Sequence, residues 1–367
     1  MASSLQNPYK PFFFVGTMSS MIGVLLWITY ATIDGHPYPG RLHAHLMMGV
    51  FLMSFALGFL MTALPKLTQS FYTTQYEFIF SSLILGWLTT VAMLDSTEES
   101  FFIGIILLVL FLIYFASRRL KLGNFQFPNF FPLLFWGLFS ALGGSLLFFT
   151  EKYRSAGEAL FYQNFMLCLV LGIGTFLVPK VLAISTPSKI YSKLSYTVIG
   201  FILTASLFLY EVTGHTIYSY VRAALTTFII LFSWKIFTKA ESKTSLKLGI
   251  RVALTGIMIG LWVLAVLPQY RLEGLHSIYV LGFSLLSYLV ASRVIIAHGN
   301  HGLALELNNK YIRTLVFFLV LAGLTRIAAA FIPNGYEKHL AYASASFTIG
   351  VLVWSKFFIP KTFTTYS

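Results

Sequence analysis

Twelve apolar runs follow one another along this sequence with only short polar breaks between them. They cover residues 11–33, 42–64, 78–94, 101–117, 130–149, 160–184, 194–210, 217–237, 248–267, 275–297, 311–332 and 340–359. A helix that spans a bilayer needs roughly 20 mostly apolar residues, because the hydrocarbon core is about 30 Å thick. The third, fourth and seventh runs are shorter, so their ends are soft. Only helices and closed barrels satisfy their backbone in lipid, and runs this long exclude barrel strands. The fold expected is therefore all-α: a polytopic membrane protein of about twelve transmembrane helices, with residues 1–367 as a single transmembrane domain. The first run is long for the apolar region of a secretory signal, roughly 7–15 residues, and no small-residue cleavage site follows it. It is expected to stay as a helix.

Composition points the same way. Charged residues make up 10% of the chain and hydrophobic ones 57%, where soluble domains carry roughly 25% charged residues. A surface this poor in charge cannot face water. The net charge of +13 would invite a nucleic-acid partner, but the basic residues sit in short breaks between apolar runs and form no stripe, so none is expected. The lone Cys168 excludes an intramolecular disulfide. The charge is instead a topology signal. With the N-terminus inside, only Arg41, Lys152, Arg154, Arg222, Arg271, Arg326 and Lys338 fall outside, and the remaining 18 Lys and Arg fall inside. The acidic residues divide the other way. By the positive-inside rule both termini are expected on the cytoplasmic side of a bacterial inner membrane.

A faint internal echo runs four helices apart. Helix two ends Ala63-Leu64-Pro65-Lys66 and helix six ends Leu177-Val178-Pro179-Lys180. His43 to Gly49 in helix two matches His276 to Gly282 in helix ten. Three four-helix groups would produce such spacings, and repeats of helix groups are common in membrane proteins.

On this topology His36, His43, His45, His215, His276 and His339 fall at the outer face, and His298 and His301 at the inner face. His43, His45 and His276 are set into helix starts. An ionisable residue there needs a partner, which makes it a functional candidate. Neutral imidazole ligates haem iron and copper, and two imidazoles on facing helices can clamp one haem. His43 and His45 are two residues apart and so point to roughly opposite helix faces; either could serve as the ligand. The alternative is an interfacial histidine bonded to a loop, which is the expectation for His36, His215 and His339. Arg41, Arg222, Arg271 and Arg326 lie on the same side and could grip carboxylates such as haem propionates. For Arg41 and Arg271, snorkelling to headgroups serves equally well. Arg326 lies deeper and should have a buried partner. Met47, Met48, Met53 and Met61 enrich helix two; thioethers suit Cu(I), but in a membrane helix they are most simply packing.

Arg41-Leu42-His43-Ala44-His45-Leu46-Met47-Met48-Gly49, followed by Gly58-Phe59-Leu60-Met61-Thr62-Ala63-Leu64-Pro65, resembles the signature of the NnrS family. Pro11-Phe12-Phe13 before the first helix is similar too, as are Leu275-His276, Ser292-Arg293-Val294 and His298-Gly299 across helix ten. The resemblance implies a haem- and copper-containing inner-membrane protein associated with resistance to nitric oxide and nitrosative stress. Leu46 stands where that family usually carries an acidic residue, and Phe176 where it usually carries an arginine. A more distant likeness to the main subunit of haem-copper oxidases and nitric oxide reductases rests on twelve helices and haem ligands from the second and tenth. Those enzymes take further histidines from helices six and seven, where this chain offers only Gln163 and Asn164.

The leading expectation is a membrane haem protein, with b-type haem held by His276 and by His43 or His45. His298 is a secondary metal candidate, copper is a second metal the resemblance brings, and nitric oxide or another small gas is the expected ligand. The electron donor, if there is one, is not encoded in any motif. The rival from another class is a secondary transporter using the same histidines for substrate or protons. A third is a protein that only stores or senses haem or gas.

Overall fold

In a computed structural model of the chain, residues 5–94, 97–123, 128–183, 191–238, 244–299 and 301–364 are described. Ile184 of the sixth run, the charges Lys189, Lys239, Glu241 and Lys243, and Asn300 lie outside them.

Among the described residues there are no strands, and each of the twelve apolar runs is helical. Ten helices are long and apolar enough to cross a membrane: α1 (Tyr9–Thr32), α2 (Gly40–Leu67), α3 (Gln75–Met93), α4 (Glu98–Leu122), α6 (Glu151–Leu182), α7 (Lys193–Thr213), α9 (Ser245–Val266), α10 (Pro268–His298), α11 (Ala304–Phe331) and α12 (Pro333–Phe363). The shorter α5 (Phe131–Leu147) and α8 (Ile217–Ser233) complete the twelve. Helix starts carry the local chemistry that stops the preceding loop. Thr74 and Glu77 form a capping box at α3, Thr97 caps α4, Ser192 caps α7 and Thr244 caps α9.

The helices divide into an inner set and an outer ring. The central windows of α2, α6 and α10 are 78%, 67% and 72% buried, against 33–61% for the other long helices. α2 packs on α1, α3, α4 and α10; α6 on α5, α7 and α9; α10 on α9, α11 and α12. Each inner helix therefore has its own outer neighbours, and the group repeats every four helices. α12 closes the circle against α1, where Phe14 meets Phe363 and the two termini share one end of the bundle.

The repeat extends to local geometry. α2, α6 and α10 each contain a π-helical segment, at His45–Leu52, Leu160–Phe165 and Ser277–Ser284, and α8 has a shorter one at Ile229–Ser233. A π turn widens the helix by one residue and re-aims the side chains beside it, and such turns gather at functional sites. Backbone contact between α5 and α6, and between α9 and α10, depends on paired glycines. A Cβ on Gly144 would sit 2.5 Å from the Gly157 carbonyl oxygen, and one on Gly260 2.5 Å from that of Gly274. Backbone cannot yield as a side chain can. Gly144→Val is thus expected to lower stability by about 1–3 kcal/mol or more, read as a fall in melting temperature in detergent; an unchanged melting curve would contradict this packing.

Candidate functional site

His43 and His276 both lie at the end of the bundle away from the termini, within electrostatic reach of one another. His43 stands two residues before the α2 π segment and His276 directly before that of α10. The His43 Nδ1 lies 2.9 Å from the Gly23 carbonyl of α1, and the His276 Nδ1 lies 2.7 Å from the Leu272 carbonyl one turn back. A carbonyl can only accept, so in both rings Nδ1 carries the proton and donates it. Both Nε2 atoms are then left as lone-pair donors. Metal-ligating imidazoles are oriented by the same device. The two rings and the Arg326 guanidinium are near enough to act on one another electrostatically. Both rings are partly buried between helices.

The walls around His43 are aromatic. Trp27 meets it edge-on at 5.5 Å between ring centroids, and Tyr38 packs on Trp27 at 5.3 Å. Gly23 admits the approach: a Cβ there would lie 3.1 Å from the Met47 sulfur. Nothing in the residue pattern distinguishes Gly23, Trp27 or Tyr38 beforehand, because their roles depend on how α1 crosses α2.

His45 points elsewhere. It is buried and stacks face to face on Phe101 of α4 at 3.8 Å and 10°. Gly49 leaves room for that ring, since a Cβ there would sit 2.2 Å from Phe101. His298 lies at the other end of α10, about 33 Å from His276 at 1.5 Å per residue, where its Nδ1 takes a hydrogen bond from Lys66. The structure does not bring it to His43 and His276.

The four arginines separate likewise. Arg326 is buried, with its Nη1 4.0 Å from the Glu273 carboxylate and without a hydrogen-bond partner among the described residues. Glu273, one turn before His276, carried no sequence signal beyond its charge. Arg271 forms an ion pair of 2.6 Å with Glu211 of α7. Arg222 is buried in α8 and donates to Gln163 Oε1 of α6 at 2.9 Å. Arg41 is exposed. Asn164 donates to Ser140 and Thr204 at 2.8 and 2.9 Å. Gln163 and Asn164 of α6 are therefore both engaged in binding helices together.

No group of three or more His, Cys, Asp or Glu that could hold a metal ion gathers among the described residues. Met47, Met48, Met53 and Met61 are buried in the core.

The sequence model of NnrS, described as NnrS protein, matches residues 3–364. The chain belongs to the NnrS family. The match runs through all twelve helices, so His43, His45 and His276 all lie within it. None of the curated proteins compared with the chain matches it. As a member of the NnrS family it is a multi-pass, all-helical protein of membrane type, with its paired imidazoles on the second and tenth helices.

Proposed function

We propose that this NnrS-family chain is a membrane haem protein of the response to nitric oxide and nitrosative stress, with its haem held between His43 and His276. The observation that carries the proposal is the matched state of the two imidazoles. Each donates an Nδ1–H hydrogen bond to a backbone carbonyl, which leaves its Nε2 lone pair available as a donor. Two neutral nitrogen donors on facing helices suit haem iron, whereas copper would find no donor set beyond the same pair. Haem bound there would supply a redox-active iron, which a small gas could reach only in place of one of the two imidazoles.

The chain's own residues do the rest. Gly23 and Leu272 hold the rings in one tautomer, Trp27 and Tyr38 keep water from His43, and Arg326 offers its free guanidinium N–H to a propionate. Under this reading the haem site faces the periplasmic side, both termini are cytoplasmic and the bilayer is the inner membrane. No second set of histidines on α6 or α7 adds to the pair, and Gln163 and Asn164 are occupied in helix contacts. The proposal therefore stops at haem binding and gas response, and includes no binuclear reduction centre.

The choice between neighbouring histidines gives the test. His43→Ala is expected to lose most of the haem that copurifies with the protein, measured as haem per chain by the pyridine haemochrome spectrum. His45→Ala is expected to retain it, since that ring packs on Phe101. Haem loss in His45→Ala with retention in His43→Ala would overturn the ligand assignment.

A further inference from the structure

At the opposite end of the bundle, α2, α6 and α10 enclose a cavity of about 380 Å³. This lies within the range of small-molecule pockets, about 300–1,000 Å³. Its walls are apolar side chains from five or more helices, among them Phe13, Phe59, Leu60, Leu169, Ile250 and Leu286. Its mouth is not apolar. Lys66, Arg293 and His298 line it, and the Lys180 ammonium sits 3.6 Å from the centroid of Phe176, another lining ring.

These cations are placed by the internal repeat. Lys66, Lys180 and His298 follow the start of their helix's π segment by 21, 20 and 21 residues. Two of these corresponding positions, Lys66 and His298, line the cavity, and the third, Lys180, stands on Phe176, which lines it too. Arg293 is neutralised by Glu306, with which it forms a short ion pair. Lys66 and Lys180 have no such partner among the described residues: Lys66 donates to the His298 ring and Lys180 rests on Phe176. Two ammonium groups without a carboxylate, at the rim of an apolar chamber, leave a positive charge for a ligand to balance.

We propose that this cavity binds an amphiphile with one acyl chain in the chamber and an anionic head between Lys66 and Lys180. The apolar walls take the chain by burial, and the paired lysines select the charge of the head. The chemistry is shared by a free fatty acid and by an anionic phospholipid inserting one of its chains. The site is independent of the haem reading, since it lies at the other end of the bundle.

The full-length protein in maltoside detergent is titrated with oleate and with methyl oleate, following tryptophan fluorescence and melting temperature. Oleate is expected to bind at least about tenfold more tightly, a factor worth about 1.4 kcal/mol. The double variant Lys66→Gln, Lys180→Gln should reduce oleate to the level of methyl oleate. Ala63→Trp, which fills the chamber from α2, should abolish binding of both; if that variant is not monodisperse, Ser287→Trp fills it from α10. Dioleoylphosphatidylglycerol that displaces oleate identifies a bilayer lipid as the occupant, and failure to displace it identifies a free fatty acid. Equal binding of oleate and methyl oleate to the unaltered protein, or full oleate binding by the chamber-filling variant, would overturn the proposal.

Discussion

His276→Ala should yield a protein that still inserts and runs as a single species but has lost its haem, with occupancy falling from about one per chain toward zero. The argument is one of coordination. His276 supplies one of two nitrogen donors, and its ring is already held in the ligating tautomer by the Leu272 carbonyl. Removing the ring removes both the iron–nitrogen bond and the orientation that precedes it. The substitution should do little to folding. His276 is only half-buried, and its one side-chain hydrogen bond among the described residues is to a carbonyl within its own helix. A Soret band of normal intensity in this variant would contradict the assignment, and a collapse of the whole protein would mean the residue is structural.

A second large effect is expected far from His276. Glu77 at the start of α3 receives two hydrogen bonds from Arg119 of α4, Nη1 to Oε1 at 2.9 Å and Nη2 to Oε2 at 2.7 Å. Arg119 is fully buried, and its side chain also lies over the Phe115 and Phe71 rings. Glu77 additionally accepts from the Thr74 backbone N–H in the capping box. Glu77→Ala would leave a buried guanidinium without its counter-charge, at a cost of about 3–5 kcal/mol, with about 1 kcal/mol more for the lost cap. The measurement is thermal unfolding in detergent, where a large fall in melting temperature is expected. A change equivalent to less than about 1 kcal/mol would mean that this pair does not hold α3 to α4. Haem content in the surviving fraction should be unaltered, because the pair lies near the opposite end of the bundle.

The helices were legible from the residues because lipid imposes one simple rule, and a long uncharged run has few other fates. The soft ends of the short third, fourth and seventh runs resolve into helices that start at the polar caps Thr74, Thr97 and Ser192. The faint echo between Pro65-Lys66 and Pro179-Lys180 was visible too. Its meaning was not, because π geometry depends on hydrogen bonds that no residue type dictates. The site was partly legible. His43, His276 and Arg326 could be nominated from depth and residue type, but the separation of His43 from His45 needed α1 and α4 in place. Gly23 offers a carbonyl to one ring and Phe101 a face to the other. The arginines were the hardest to tell apart, since charge and depth are alike in Arg222, Arg271 and Arg326. Only the packing of α6 and α7 reveals that Gln163 and Glu211 already occupy two of them.

The measurement that tests the haem reading most directly is the ultraviolet–visible spectrum of the unaltered protein, purified in mild detergent from haem-replete cells. The account predicts a Soret band that copurifies with the protein and sharpens on reduction, with haem close to stoichiometric with chain. A colourless, monodisperse preparation would contradict it, and would leave His43 and His276 to bind a transported substrate or proton instead.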